Sequence, residues 1–382
     1  MPPLLDRYES HCRALARQGL LRSLRPPADR PVRLVDFSGN DYLGLSRHPE
    51  VVAAGCEAGR IYGAGATGSR LLSGNLEIFE RFEARIAQDK GTEAALLFPT
   101  GHQANLSTIA ALLDAKALGA EPLVFCDRLI HASMHQGCFL AGVREIRYSH
   151  LDLAHLESLL ARHADDEKPK IILSETVFGM DGDVADAAAL QEIALAHDAL
   201  LYLDEAHATG VFGPRGFGLC DGLELSPSTV VMGTLSKAVG VSGGYVACSK
   251  IVRDLLVNRA GGFVFSTAPS PLATGAALKA WELIPQLSRE RAELLARAER
   301  LRRGLAGLGL ECGPSCTQIV PIVLGDAERT LAARDLLAER GFLVSAVRPP
   351  TVPPHTARLR LEVTAAHTDK DIEAFLAAAR DI

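Results

Sequence analysis

The sequence lacks a surplus of basic residues and has no long hydrophobic run. Its 382 residues include 40 Lys and Arg against 46 Asp and Glu, for a formal net charge of −6. No surplus of positive charge is available to neutralise a phosphate backbone or an anionic membrane surface, so neither is an expected partner. No apolar stretch approaches the roughly 20 residues that a membrane span requires. With 48% hydrophobic and 23% charged residues, the composition predicts an ordinary globular protein with a large core.

Metal and redox motifs are also missing from the cysteine pattern. The eight cysteines include no C-x-x-C pair, which argues against a zinc ribbon or a dithiol redox site. Free thiols in a reducing compartment are the expectation. The first 20 residues lack the apolar segment of a signal peptide, so we expect a cytoplasmic protein. The cysteines are Cys12, Cys56, Cys126, Cys138, Cys220, Cys248, Cys312 and Cys316.

Short apolar runs alternate with amphipathic stretches over most of the chain. A helix is predicted near Leu5 to Leu15, followed by a proline cluster at Pro26, Pro27 and Pro31 and an apolar run from Val32 to Phe37. The later alternation predicts an α/β fold, a mostly parallel sheet covered by helices on both faces. We expect an N-terminal arm over 1–40, a large domain over 41–270 and a smaller α+β domain over 271–382. The runs expected as strands are 95–98, 123–126, 170–174, 200–203, 230–233 and 244–248, then 319–324, 343–347 and 358–363 in the smaller domain.

Lys237 follows one of these apolar runs and precedes a flexible Gly240 to Gly244 stretch. A lysine among apolar groups loses some of its preference for the charged form, and a neutral amine can form a Schiff base with a carbonyl. A lysine whose ammonium group reaches the surface at a strand end is the competing interpretation from this segment alone.

Asp204 ends the run from Leu200, and His207 follows three residues later. A pyridoxal ring needs such a carboxylate to keep its nitrogen protonated, and an imidazole could hydrogen-bond its phenolic oxygen. The letters D-E-A-H also occur in helicases, but the G-K-[ST] phosphate loop is missing from the sequence. A structural aspartate at a strand end is the other alternative.

Two further turns at predicted strand ends carry residues that could contact a cofactor. Phe98 to Asn105 reads as a strand, a turn at Gly101 and a helix, whose first amides could receive a phosphate. His131 stands where an aromatic ring could stack on a flat cofactor. His131 and His135 also have the spacing of metal ligands on a helix, but no acidic or cysteine partner is apparent nearby, so no metal is expected.

One glycine motif is misleading. Gly63 to Gly68 matches G-x-G-x-x-G, but Glu50 to Tyr62 before it has the pattern of a helix and not of a strand. The dinucleotide fingerprint requires a preceding strand, so NAD binding is not expected.

Near the C-terminus, strand alternation puts Arg358 and Arg360 on one face, where a guanidinium could bind a substrate carboxylate. A solvated strand face is the alternative for these two arginines.

Taken together, these segments resemble the α-oxoamine synthases, a family of homodimeric fold-type I pyridoxal-phosphate enzymes. The resemblance covers nearly the whole chain. It runs through Asn40 to Ser46, Gly63 to Asn75, Ala94 to Asn105, Thr176 to Asp183, Asp204 to Gly210, and Thr234 to Lys237. Within the family, Arg348 to Leu361 most resembles the member that condenses L-alanine with a pimeloyl thioester in biotin synthesis.

The resemblance implies a role for each matching residue. Lys237 would bind the cofactor covalently, Asp204 would pair with its ring nitrogen, and His207 would bond its phenolic oxygen. His131 would stack on the ring. The other implied cofactor contacts are Gly101, His102 and Thr234 at the phosphate, with Glu175 and Gly179 nearby, and the implied substrate contacts are Arg22, Asn40, His131, Thr351 and Arg360.

Three departures from the family pattern bear on this transfer of roles. Gly179 stands where the family usually has serine, His102 replaces an aromatic residue, and His355 replaces a glycine. The alternatives are a sister synthase, such as glycine C-acetyltransferase or serine palmitoyltransferase, an aminotransferase, or an inactive partner subunit, which would lack the lysine. Whether coenzyme A or acyl carrier protein carries the acyl group stays open.

Overall fold

A computed structural model describes residues 3–22, 24 and 34–382 of the chain. The proline cluster at Pro26, Pro27 and Pro31 and the start of the apolar run at Val32 lie outside the described residues. The described helices are α1 (Pro3–Arg17), α2 (Pro49–Tyr62), α3 (Glu77–Lys90), α4 (Gly101–Leu112), α5 (Ala115–Leu118), α6 (Ala132–Ala141), α7 (Leu153–Arg162), α8 (Ala187–Ala196), α9 (Lys250–Arg259), α10 (Gly261–Val264), α11 (Pro271–Leu283), α12 (Ser288–Gly307), α13 (Ala327–Glu339) and α14 (Asp369–Ala378).

The strands fall where most of the apolar runs predicted them. They are β1 (Val35–Asp36), β2 (Ala94–Phe98), β3 (Leu123–Asp127), β4 (Glu145–Tyr148), β5 (Lys170–Glu175), β6 (Ala199–Asp204), β7 (Thr229–Thr234), β8 (Gly244–Cys248), β9 (Ile319–Gly325), β10 (Phe342–Leu343), β11 (Ser345–Val347) and β12 (Ala357–Glu362). Short 3₁₀ turns occur at Leu45–Arg47, Ile284–Gln286 and Ala379–Asp381. No described helix is long and apolar enough to cross a membrane.

The chain divides into two compact units. The sheet unit comprises Asn40–Gly179 and Asp183–Ala292, and the terminal unit comprises Met180–Gly182, Glu293–Ile382 and the described residues up to Gly39. The division into domains at residues 40 and 270 stays a prediction.

The sheet unit contains a seven-stranded sheet in the order β2-β8-β7-β6-β5-β3-β4. All neighbouring pairs are parallel except those of β8, which runs antiparallel to both β2 and β7. The prediction of a mostly parallel sheet is therefore confirmed. Every residue of β7 is buried, and β5 and β6 are buried at all but one position. Such continuous burial is typical of strands covered on both faces.

One strand of this sheet was not predicted. β4 forms the edge next to β3, and its residues Glu145 and Arg147 interrupt any apolar run. An edge strand has one neighbour only and tolerates charged residues, so hydrophobicity alone does not reveal it.

The terminal unit contains a three-stranded antiparallel sheet, β11-β12-β9, and a parallel pair, β1-β10. The prediction of one strand over 343–347 is wrong, because the chain leaves one sheet after Leu343 and enters the other at Ser345. Val344, between them, is 3% exposed and belongs to the core of this unit.

Candidate active site

Three polar residues end three neighbouring strands of the large sheet. Glu175 ends β5, Asp204 ends β6 and Thr234 ends β7. β5 and β6 are parallel and in register, with Glu175 directly beside Asp204. Because open parallel sheets bind ligands at the carboxyl ends of their strands, this edge is the place to look for a site.

Lys237 follows β7 by three residues and meets His207 from the loop after β6. Its Nζ lies 2.8 Å from Nε2 of His207, and Nδ1 of His207 lies 2.7 Å from the hydroxyl of Tyr42. Tyr42 donates its one hydroxyl hydrogen to Oδ1 of Asn40 over 3.1 Å. Tyr42 must therefore accept from Nδ1 of His207, and Nε2 is left as the acceptor that faces the lysine amine. Asn40, predicted to contact substrate, thus belongs to the chain of bonds that orients His207.

Asp204 is 3% exposed, and the protein gives its carboxylate two neutral hydrogen-bond donors. The backbone N–H of Ala206 donates to Oδ1 over 2.8 Å, and Nδ2 of Asn105 donates to Oδ2 over 2.7 Å. A buried carboxylate held by neutral donors keeps its charge available for a cationic ligand, such as a protonated ring nitrogen.

Glu175 is a second buried carboxyl beside Asp204, with 5% of its surface exposed. Burial raises the pKa of Glu175 well above its usual range, and the neighbouring Asp204 raises it further. The protonated form is therefore favoured, as expected when two carboxyls share one site. The charge of Lys237 and the backbone N–H of His131 lower the pKa of this carboxyl, but by less than burial raises it.

His131 is the N-terminal cap of α6, and its Nδ1 accepts the backbone N–H of Ser133 over 3.2 Å. Its ring faces the ring of His102 edge-on, with centroids 6.5 Å apart. Burial lowers the pKa of His131, which favours a neutral imidazole. A neutral ring is compatible with stacking on a flat cofactor, and this role of His131 stays a prediction.

The first turn of α4 approaches Thr234 closely. Thr100 caps this helix by accepting the backbone N–H of Gln103, and a Cβ at Gly101 would lie 2.9 Å from Oγ1 of Thr234. Gly101 therefore allows the helix start and the threonine hydroxyl to meet. The first amides of a helix lack intrahelical acceptors, and together with a hydroxyl they suit a phosphate group.

The departure at Gly179 has a geometric consequence. A Cβ at this position would lie 2.5 Å from Nε2 of His207, closer than real contacts allow. The glycine thus permits the position that His207 adopts against Lys237. A serine here, as the family pattern has, would require His207 to shift.

The predicted substrate residues of the terminal unit are engaged with polar partners. Nη2 of Arg22 donates to Oγ1 of Thr351 over 2.7 Å. Arg360 forms an ion pair with Glu362, and Arg358 forms one with Asp181. The alternative of a solvated strand face is wrong for both β12 arginines, because Arg358 is 5% and Arg360 7% exposed.

Sequence reasoning missed Asn105 and Tyr42 as individual site residues, although both lie in the motifs that carried the resemblance. Asn105 stands between Ala104 and Leu106 in the buried part of α4. A polar amide at a buried helix position was the available signal, because such a group needs partners.

His135 lies in a group of possible metal ligands that its spacing from His131 did not reveal. Ligand atoms of Cys126, His135 and Glu145 lie within 4.8 Å of one another. The expectation that His135 has no acidic or cysteine neighbour is therefore wrong, and the reason is that β3 and β4 supply the other two. Glu145 already bonds His135 over 2.7 Å and Arg147 over 2.8 Å, so its charge is neutralised without an ion. That no metal binds stays a prediction.

Comparison with known proteins places the chain in a family. A family model described as aminotransferase class I and II matches residues 32–378. A protein from Gluconacetobacter diazotrophicus named 8-amino-7-oxononanoate synthase is 47% identical over 377 residues, which cover 96% of this chain and 94% of that protein.

Two solved structures share the fold. A serine palmitoyltransferase variant from S. paucimobilis with a bound PLP-myriocin aldimine has a TM-score of 0.89 at 27% identity, over 98% of this chain and 96% of that chain. The 8-amino-7-oxononanoate synthase of Francisella tularensis has a TM-score of 0.76 at 26% identity, over 91% of this chain and 97% of that chain. Together these likenesses confirm the predicted fold class and the pyridoxal-phosphate cofactor.

Proposed function

The chain belongs to the 8-amino-7-oxononanoate synthase family of pyridoxal-phosphate-dependent acyltransferases, and on that premise we propose that it condenses L-alanine with a pimeloyl thioester in biotin synthesis. A bond forms between the alanine Cα and the acyl carbon, the thioester C–S bond breaks, and the carboxylate leaves as CO₂. The products are 8-amino-7-oxononanoate and the free thiol carrier. The observation that carries the proposal is the 2.8 Å contact of Lys237 with His207 at the strand ends that hold Asp204.

The residues at these strand ends fit the cofactor. When bound, pyridoxal phosphate withdraws electrons from the Cα of the amino acid. Lys237 would hold its aldehyde, the neutral donors around Asp204 leave that carboxylate for the ring nitrogen, and His207 would meet the phenolic oxygen. The remaining contacts are Gly101, His102 and Thr234 for the phosphate, His131 for the ring face, and Glu175 and Gly179 beside them.

Proton transfer falls to the amine of Lys237. Nε2 of His207 accepts a hydrogen bond at 2.8 Å, so the amine is held in one orientation. An amine released from the cofactor can take the Cα proton and later return one to the same carbon. Lys237 is half-buried, which limits the water that competes for these protons.

Substrate recognition is proposed for the residues that the family resemblance implies. Arg360 would bind the amino-acid carboxylate, since a guanidinium matches a carboxylate in two-point fashion. Arg22 and Thr351, which share a hydrogen bond, would also contact substrate, with Asn40 and His131 as the remaining contacts. Because Arg360 is paired with Glu362, a substrate carboxylate would join an existing ion pair.

A homodimer is proposed because the chain leaves large apolar side chains on its surface. Phe265 is 89% exposed, Phe139 85% and Leu72 82%. A second copy that covers these side chains would remove apolar surface from water, the main gain on association. In this arrangement the two chains would share active sites at their interface.

Release of free thiol tests the reaction. Cofactor-loaded protein is supplied with L-alanine and pimeloyl-CoA, with glycine and acetyl-CoA, or with L-serine and palmitoyl-CoA. Release confined to the first pair supports the proposal, while release confined to another pair would reassign the enzyme to a sister activity. If all three stay silent, pimeloyl-acyl carrier protein is the next thioester to supply, and failure with it as well would refute the proposal.

The Lys237→Ala variant is the control for this assay. Losing the amine should abolish turnover, by at least about 10³-fold, because the amine of Lys237 is the group proposed to bind the aldehyde and to transfer the proton. Its circular dichroism spectrum and unfolding midpoint should match those of the unmodified protein. Substantial residual release would refute the role of this lysine.

A further inference from the structure

Asn105 connects two groups that the proposed reaction uses. Its Nδ2 donates one hydrogen to Oδ2 of Asp204 over 2.7 Å and the other to Oγ of Ser133 over 3.0 Å. Oγ of Ser133 in turn lies 2.6 Å from Nδ1 of His131. Asn105 is 2% exposed and Ser133 is fully buried. One amide on α4 therefore links the end of β6 to the start of α6 without intervening solvent.

The direction of each bond follows from Asp204 and Tyr202. Its hydroxyl, fully buried, lies 2.8 Å from Oδ1 of Asn105. Burial raises the pKa of Tyr202 well above its usual range, so the hydroxyl keeps its hydrogen and can donate it. The Asp204 carboxylate can only accept, so Nδ2 of Asn105 must face it, and the amide oxygen is then left to accept from Tyr202.

The same reasoning determines the tautomer of His131. Because Ser133 Oγ accepts from Asn105, its own hydrogen is available for Nδ1 of His131. Nδ1 also accepts the backbone N–H of Ser133 over 3.2 Å, so it carries a lone pair and no hydrogen. In the neutral ring the hydrogen is then on Nε2. The order of donation runs from Tyr202 to Asn105, from Asn105 to Ser133, and from Ser133 to His131.

We propose that Asn105 is a positioning residue that orients the carboxylate of Asp204 and, through the 2.6 Å contact of the Ser133 hydroxyl, adds to the backbone N–H of Ser133 in favouring the Nε2–H tautomer of His131. The inference rests on the proposed function for its kinetic consequence, but the tautomer is a property of the chain itself. If Asn105 only filled space in the core, it would not matter which group donates the hydrogen in each bond. In the proposed role, this order of donation determines the orientation of Asp204 and favours one tautomer of His131.

The test compares Asn105→Leu with the cofactor-loaded parent protein. Leucine has a similar size but removes both N–H donors. Thr108→Val is the matched control, because Thr108 lies on the same helix, is fully buried, and its hydroxyl has no hydrogen-bond partner in the described part of the chain.

Two readouts separate positioning from stability. The first is the tautomer of His131, observed in long-range ¹H–¹⁵N spectra of histidine-labelled protein and assigned by its absence from His131→Gln. The second is exchange of the alanine Cα hydrogen with deuterated water, which needs no thioester. In Asn105→Leu we expect mixed tautomers and exchange slowed on the order of 10-fold to 100-fold at saturating alanine, since misplacing a reacting group has effects of this size. The alanine concentration for half-maximal exchange should change less than threefold, and Thr108→Val should match the parent in both readouts.

The outcomes distinguish this proposal from the proposed function. Exchange within twofold of the parent and an unchanged His131 signal in Asn105→Leu would overturn the positioning role. If Asn105→Leu does not fold, Ser133→Ala decides. It removes the hydroxyl at 2.6 Å and leaves Nδ1 of His131 with the longer backbone N–H contact of 3.2 Å, so we expect mixed tautomers, and an unaltered signal would refute the relay. If the parent exchanges none of alanine, glycine or serine, the proposed function fails, and the tautomer readout still decides the relay.

Discussion

Asp204 and Glu205 are consecutive buried acids at the end of β6, yet they are neutralised in opposite ways. Glu205 pairs with Lys90 over 2.5 Å, and neither side chain has any exposed surface. Within the part of the chain that the structure describes, the carboxylate of Asp204 accepts the neutral N–H groups of Ala206 and Asn105 and no others. Successive side chains leave a strand on opposite sides. Glu205 is therefore paired inside the protein, while Asp204 lies at the edge of the sheet where a ligand is expected to bind.

The difference shows how a protein keeps one buried charge for chemistry. Burial opposes the charged form of Lys90, but the charge of Glu205 raises its pKa above the usual range, so the pair stays ionised. A third arrangement supports the contrast. His150 bonds Asp127 through Nδ1 over 2.9 Å and Asp183 through Nε2 over 2.7 Å, so these carboxylates also have an internal cation. Asp204 differs from Glu205, Asp127 and Asp183 because its hydrogen-bond partners among the described residues carry no charge.

Breaking the internal pair should have the largest effect on stability. Lys90→Met leaves Glu205 charged and buried without its cation, so the free energy of unfolding should fall by about 3–5 kcal/mol. Urea unfolding of the cofactor-loaded protein measures this. Combining Lys90→Met with Glu205→Gln should recover most of the loss, and failure to recover it would mean that Lys90 stabilises through its other contacts, such as the carbonyl of Phe217.

The complementary change at the ligand edge should affect rate and not stability. In Asp204→Asn we expect kcat to fall on the order of 10²-fold to 10³-fold, because a preorganised electrostatic partner of the reaction is lost. The free energy of unfolding should stay within about 1 kcal/mol, because the amide oxygen still accepts one of the two hydrogen bonds and the removal of a buried charge offsets the loss of the other. If the loss of activation free energy and the loss of unfolding free energy were equal in Asp204→Asn, the contrast between Asp204 and Glu205 would be contradicted.

The His150 arrangement predicts a pH dependence of stability. Burial opposes the charged ring, but hydrogen bonds to Asp127 and Asp183 raise the pKa of His150 from 6.5 to about 9. The stabilisation by the charged ring is therefore complete below pH 6.5 and is lost as the pH rises through about 9. Unfolding free energies of the parent and His150→Gln should differ by roughly 3 kcal/mol more at pH 6 than at pH 10. His197→Gln, at the end of α8, is the control, and a gap that does not change with pH would contradict the assignment.

The smallest expected effect is that of Tyr202→Phe, which removes one neutral donor from Asn105. The free energy of unfolding should fall by about 1 kcal/mol, the usual net worth of a hydrogen bond whose partner stays buried. The rate should fall far less than in Asp204→Asn, because both N–H groups of Asn105 keep their acceptors. A larger loss of rate would show that the side-chain amide of Asn105 exchanges the positions of its oxygen and nitrogen when the Tyr202 hydroxyl is absent.

Much of the fold could be predicted from the sequence because the strands of a covered parallel sheet are continuous apolar runs. The runs at 170–174, 200–203 and 230–233 matched β5, β6 and β7 to within a residue at each end. The edge strand β4 and the break between β10 and β11 could not be found in this way. Charged residues at Glu145 and Arg147 hide the first, and the second depends on which sheet each half pairs with.

By itself, the sequence determined which residues stand at the strand ends, since Asp204, Thr234 and Lys237 follow apolar runs whose periodicity is local. Only the tertiary structure decided how these groups are partnered. The bonds from Asn105 to Asp204 and from Lys90 to Glu205 join residues 99 and 115 positions apart, and no local pattern encodes such distances. Two adjacent acids with similar chemistry therefore acquire different roles, because the fold brings a lysine to one and an asparagine to the other.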